Sequence, residues 1–206
     1  MAHLPVMLRV EGRRCVVIGG GQVALRRAGA LVDAGAEVEV IAPRIDPELA
    51  GLGVRCQQRG WQPADFAGAV LVIVATDDPE ANERVAAAAH EAGALVNRAD
   101  EASAGDVSIP AHRRLGPVTV AVDTGGVSAT AAAAIRDELL ERLDPAWPEV
   151  LACIAPFRRE IQQRYPHSPA ERTQRLKRLV SEEALARYRQ GGRAALEDFC
   201  RECVLA

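Results

Sequence analysis

Short apolar runs alternate with stretches of helical spacing through the N-terminal half of the chain. Cys15–Ile18 (CVVI) is continuously apolar and ends in Gly19-Gly20-Gly21, which reads as a buried parallel strand. Val23–Ala34 has helical spacing, and Gly35 closes it. Glu37–Ala42 reads as a second strand stopped by Pro43, and Val54–Arg59 as a weaker third. Val70–Ala75 (VLVIVA) is apolar at every position. It belongs at the centre of a sheet covered on both faces. Pro79–Ala92 reads as a helix with Asp77 or Asp78 as its cap and Pro79 in its first turn. Ala94–Val96 opens another strand. Strand and helix alternating over short joints predict a doubly wound, Rossmann-like α/β sheet.

The pattern changes after Asn97. Residues 98–114 are polar and irregular, Pro117–Val122 is a strand, and Ser128–Leu143 is an alanine-rich helix entered through Asp123-Thr124-Gly125-Gly126. Pro145 and Pro148 mark a break, beyond which residues 149–204 read as several helices with no strand. The expected organisation is a Rossmann-like α/β domain over 1–112, a small α+β region over 113–145 and a helical domain over 146–206.

Composition narrows the function classes. Aromatic residues make up only 3% of the chain, so the core is aliphatic. The formal net charge of −3 is too mild to predict a nucleic-acid or membrane-surface partner. No apolar run approaches the roughly 18 residues that span a bilayer. Residues 1–10 lack the apolar stretch of a signal peptide, so a cytoplasmic protein is expected. The tail is more basic than the body, with 11 basic against 8 acidic residues over 149–204. Five scattered cysteines argue against a disulfide framework. Cys15 falls in an apolar strand, and Cys200 and Cys203 fit two small residues one helical turn apart. No metal site is expected, because no further Cys or His stands at ligand spacing.

Four places carry candidate chemistry. Gly19, Gly21 and Ala24 fit GxGxxA between a strand and a helix. Gly19 permits the turn, Gly21 lets backbone approach a pyrophosphate, and Ala24 keeps the helix close to the sheet. No acid stands at the tip of the second strand, where one would bind the ribose of NAD. Arg44 there suits either a 2′-phosphate or a solvated loop. Thr76 and Asp77 follow the central strand at its ligand-facing end, where Asp77 and Asp78 are equally helix caps. Asp100 follows the fifth strand and reads either as a general base or as a turn residue. Thr124, Gly125 and Ser128 form a strand–turn–helix entry able to hold an anion or simply to cap the helix. His112, beside Arg113 and Arg114, is the histidine best placed for an anionic ligand.

Residues 3 to 145 resemble the precorrin-2 dehydrogenase family, the N-terminal module of siroheme synthases. The resemblance is carried by His3-Leu4-Pro5 with Leu8, by VVIGGGQVALRRAGALVDAGAEVEVIAP and VIVATDDPEANERVAAAA, and by LVNRAD, SIPAHRRLGPVTVAV and TGGVSA. It implies oxidation of precorrin-2 to sirohydrochlorin with NAD, with ferrous iron as a further substrate in some members. It also implies a homodimer whose central region, residues 113–145 here, forms the dimer contact. Gln22, Val23, Pro43 and Arg44 match the family's cofactor contacts, Asp100 its general base, and Thr124 a position in its substrate cleft. The substrate is a polyanion, which Arg98, Arg113 and Arg114 are available to hold. Two stretches depart from the family pattern. Gly105-Asp106-Val107-Ser108 stands where a cysteine is usual, and Asp123 precedes the Thr-Gly-Gly turn. A nucleotide-sensing module without catalysis and a dehydrogenase of another small substrate are the alternatives.

Overall fold

In the computed structural model, residues 3–205 are described. Met1, Ala2 and Ala206, the ends of the first and last expected domains, lie outside them. The CVVI run forms strand β1 (Arg14–Ile18), whose Cys15, Val16 and Val17 have no solvent exposure. Helix α1 (Gln22–Asp33) and strand β2 (Glu37–Ile41) follow, then the short helix α2 (Pro47–Gly51) and strand β3 (Arg55–Gln57). Strand β4 (Leu71–Val74), helix α3 (Pro79–Glu91) and strand β5 (Leu95–Arg98) complete the sheet unit. The strands are all parallel in the order β3-β2-β1-β4-β5. The order reverses between β1 and β4, so their carboxyl ends open the crevice where such sheets bind ligands.

Side chains alternate between the two faces along each strand. Val16, Val72, Val74 and Val96 pack with Val85 and Ala89 of α3. Cys15, Val17, Val40 and Ile73 pack with Ala24, Ala28 and Leu31 of α1. Each fully buried Val, Ile or Leu stabilises the fold by about 1.5–3 kcal/mol. A sheet clothed on both faces therefore reads as unbroken apolar runs, the pattern seen in the sequence. The third strand is shorter than expected, and the fifth runs on through Asn97 and Arg98.

The sheet unit ends at Ile109 and also takes in Gly125–Val127; the second unit comprises Pro110–Thr124 and the chain from Ser128 onward. Strand β6 (Ala111–Leu115) pairs antiparallel with β7 (Val118–Val122) across the tight turn at Gly116-Pro117. Residues 111–114 fall in the stretch that the sequence marks as irregular, yet they lie in this strand. His112, Arg113 and Arg114 are exposed on a strand paired on one side only, so no apolar alternation marks it. Helix α4 (Ala129–Arg142) packs on both strands and buries only Ala132 fully. Helices α5 (Trp147–Arg164), α6 (Pro169–Leu179) and α7 (Glu182–Leu205) enclose a core of Val150, Ile154, Ile161, Leu196 and Phe199. Helix α7 is kinked at Gly191-Gly192, where Gly192 takes φ +64°. Cys153, Cys200 and Cys203 are buried free thiols in this core, and burial pushes the Cys200 thiol up to about 12.

Candidate active site

The glycine loop joins β1 to α1. Gly19 takes φ +127°, and a Cβ there would fall 2.2 Å from the Ala75 carbonyl oxygen beyond β4. A Cβ on Gly20 would fall 1.9 Å from the Arg44 carbonyl oxygen. Backbone thus crosses Gly19 and Gly20 too closely for any side chain. Gly20 was missed in the sequence because the motif leaves its position open; only the path of the chain after β2 makes glycine necessary there. Gly21 is different. It is the N-cap of α1 in extended backbone, with open space where its Cβ would point. No side chain caps this helix, and no acid stands in its first turn. The first-turn N–H groups and the positive end of the helix dipole are therefore left for an anion, as a pyrophosphate requires. Ala24 is fully buried against the sheet. A dinucleotide fits this cradle.

Pro43 and Arg44 lie exposed after β2. The sequence showed no acid at the strand tip, yet Asp46 reaches the same loop. Its N–H donates to the Gly20 carbonyl at 2.8 Å, and its Oδ2 accepts from Gln22 Nε2 at 2.7 Å. Its Oδ1 accepts from the Glu48 N–H, capping α2. Val23, beside Gln22 in the first turn of α1, is 41% exposed.

Strands β4 and β5 pair with Val74 opposite Arg98. Two residues further along each strand, Thr76 and Asp100 are thus brought level with one another. Asn82, on the first turns of α3, joins them. Its Nδ2 donates to the Thr76 carbonyl at 3.1 Å and to Asp100 Oδ2 at 2.9 Å, and its Oδ1 accepts from Thr76 Oγ1 at 2.5 Å. Arg98 donates from Nε to Asp100 Oδ1 and from Nη2 to Oδ2, and from Nη1 to Glu83. The Arg98 hydrogen bonds hold the Asp100 carboxyl far below the usual carboxylate range. Partial desolvation pulls the other way, while bonds from Asn82 and from Asp100's own N–H add to the lowering. Asp100 is an ionised carboxylate, part-exposed beyond the sheet. Arg98 is only 3% exposed, so it is not available to a substrate as the sequence reading had it. Asp78, not Asp77, caps α3, accepting from the Ala81 N–H at 3.1 Å; Asp77 is exposed.

The departure at Gly105-Asp106 has a local structural explanation. Gly105 crosses β5 so closely that a Cβ would fall 2.8 Å from the Val96 carbonyl oxygen. Asp106 Oδ2 accepts from the Val96 N–H at 2.9 Å and pairs with His90 Nε2 at 2.8 Å. That oxygen is engaged in holding the segment to β5.

In the second unit, His112 and Arg113 lie on β6. His112 Nδ1 is 3.0 Å from the Pro110 carbonyl, and Arg113 is 3.8 Å from Asp137 of α4. At the β7–α4 turn the Thr124 hydroxyl donates to the Ser128 carbonyl and accepts from the Ser128 N–H. Ser128 caps α4 by accepting from the Ala131 N–H at 3.1 Å. Gly125 and Gly126 both take positive φ in this turn. Among the described residues no group of three His, Cys, Asp or Glu side chains could hold a metal ion, and no helix is long and apolar enough to cross a membrane.

Residues 6–111 match the family described as putative NAD(P)-binding. The chain belongs to this NAD(P)-binding family. The siroheme synthase of Pseudomonas putida (strain W619) is 39% identical over 170 residues, covering 81% of this chain and 37% of the relative. The siroheme synthase of Chromobacterium violaceum is 37% identical over 176 residues, covering 84% of this chain and 37% of the relative. The chain spans little more than a third of the length of these curated relatives. The solved structure of SirC, precorrin-2 dehydrogenase, superposes with a TM-score of 0.73 at 23% identity, covering 99% of this chain and all of that one. The fold is shared over 99% of this chain.

Proposed function

We propose that this NAD(P)-binding chain oxidises precorrin-2 to sirohydrochlorin with NAD, as a step of siroheme biosynthesis. The observation that carries the reading is the ionised Asp100, held beside the ligand-facing ends of β4 and β5. The similarity to siroheme synthases over four-fifths of the chain supports the substrate class. The reaction removes one hydride and one proton from the macrocycle; bound NAD takes the hydride. Gly19, Gly21, Gln22, Val23, Pro43, Arg44, Thr76 and Asp77 surround the dinucleotide in this reading. Asp100 places a negative charge where hydride loss leaves the macrocycle positive, and it receives the proton that this positive charge makes strongly acidic. His112 and Arg113, with the turn at Thr124, Gly125 and Ser128, meet the substrate carboxylates.

The exposed apolar side chains Leu115 of β6 and Ile135 and Leu139 of α4 support a homodimer formed through residues 113–145. The five free cysteines accord with a cytoplasmic setting. Ferrous-iron insertion, with iron as a substrate, would call on the same carboxylate for two pyrrole protons; Arg98 makes that the harder task for Asp100.

Incubation with precorrin-2 and NAD tests the proposal. NADH and the sirohydrochlorin spectrum should appear together in equal amounts. NAD binding without turnover would replace the proposal with a nucleotide-sensing module.

A further inference from the structure

We infer that Asn82 is a positioning residue for Asp100, setting the orientation and charge of the carboxylate from inside α3. This rests on the proposed dehydrogenase reading. The side chain is 1% exposed, yet it is polar, and every polar atom it has is engaged. Its amide orientation is over-determined. The Thr76 carbonyl and the Asp100 carboxylate can only accept hydrogen bonds, so the atom between them is the NH₂ group. Both amide hydrogens are thereby used, and Oδ1 is left to the Thr76 hydroxyl. Turning the amide over would set oxygen against oxygen at both places. Buried this deeply, the group would also lose hydrogen bonds that water could not replace.

Arg98 holds Asp100 from the β5 side, and Asn82 holds it from the α3 side. The Arg98 fork sets the carboxylate plane against β5, and the Asn82 bond to Oδ2 ties that same carboxylate to α3. Asn82 also takes its own bearing from Thr76, so the tip of β4 and the carboxylate beyond β5 move as one. The groups facing Asp100 are then Arg98 and Asn82, with Glu83 behind Arg98. With 1% of its surface exposed, Asn82 is not open to a substrate or cofactor; it acts through Asp100.

The test uses Asn82→Leu, which keeps similar volume without donors, and Asn82→Asp, which keeps the shape but replaces the donor with a second carboxylate. The Asp100 carboxyl carbon is followed by NMR titration of the carboxyl-labelled protein without substrate, assigned through Asp100→Asn. Its titration should move to higher pH in both variants, further in Asn82→Asp. Precorrin-2 oxidation should slow by about tenfold or more in kcat, the scale of one hydrogen bond to a charged group. The KM for NAD should change less than kcat, and the acid limb of kcat/KM should shift upward with the titration. An unmoved Asp100 titration in either variant, shown to be folded by circular dichroism, overturns the assignment. A shifted titration in a protein whose wild type does not oxidise precorrin-2 upholds the positioning role and overturns the substrate reading instead.

Discussion

Arg98 grips Asp100 through two parallel hydrogen bonds, Nε to Oδ1 and Nη2 to Oδ2, each 2.8 Å long. The guanidinium is buried and its partner stands at the protein surface, so the pair fixes an ionised carboxylate from below. The Asp100 carboxyl titrates lower in the folded chain than the roughly 3.9 of an unfolded aspartate. The stability it contributes is therefore fully present above about pH 4 and is lost as pH falls toward the folded value. Asp100→Asn should lower the urea-unfolding free energy by about 1–3 kcal/mol near neutral pH. The difference from wild type should shrink steadily below pH 4. A difference that stays constant down to pH 3 would show that the ion pair is not its source.

Gly20 and Gly21 are neighbours with opposite expectations. Gly20→Ala drives a methyl group into the Arg44 carbonyl and should cost several kcal/mol of stability. Gly21→Asp meets open space in extended backbone and places a favoured residue at an N-cap. It should melt at the same temperature as wild type or higher, while its carboxylate occupies the pyrophosphate position and abolishes NAD binding. Thermal melts with calorimetric NAD titration check both. Unchanged NAD affinity in folded Gly21→Asp would remove the loop from the cofactor site.

Much of this site was legible in the sequence, and what escaped did so for physical reasons. Buried parallel strands cannot hide, because VLVIVA has no second use in a small α/β protein. The loop after β1 was recognisable because strand, glycines and helix follow one another directly. Asn82 gave no signal, since a lone asparagine in an alanine-rich helix looks like surface. Its role depends on β5 lying beside β4 in register, a relationship between segments distant in sequence. Asp46 escaped in the same way. It lies beyond the tip of β2, where an acid was sought, and the chain returns it to the glycine loop.

That return has a consequence for cofactor choice. The Asp46 carboxylate beside Gln22 puts negative charge at the edge of the dinucleotide cradle, where a 2′-phosphate would be repelled. Asp46→Ala should shift the ratio of the NAD and NADP dissociation constants about tenfold toward NADP. A ratio unchanged from wild type would assign Asp46 only to capping α2.

The proposed dimer can be broken on α4. Ile135 and Leu139 are a turn apart and both exposed. Replacing both with Glu should give a folded monomer by light scattering at micromolar concentration, where the wild type should be a dimer. A wild type that is itself monomeric there would withdraw the dimer.

Three carboxylates compete for the chemical step, and their surroundings separate them. Asp106 is bonded to the Val96 N–H and to His90. An asparagine in its place still accepts from Val96, so Asp106→Asn should oxidise precorrin-2 at nearly the wild-type rate. Asp123 follows β7, which is not a strand of the parallel sheet whose carboxyl ends open the crevice, and Asp123→Asn should likewise be mild. Asp100→Asn keeps the shape of the side chain but removes its charge and its capacity to take a proton. It should slow oxidation by on the order of a hundredfold or more, the usual scale for a lost acid–base group. NAD affinity should be unchanged, because the glycine loop is untouched. Because Arg98 keeps Asp100 ionised, wild-type kcat/KM should show no acid limb from this group above about pH 4. Rates on the three single variants at saturating NAD decide the matter. Near-wild-type turnover in Asp100→Asn, with a large loss in Asp106→Asn or Asp123→Asn, would move the chemistry to that residue and leave the dinucleotide site standing.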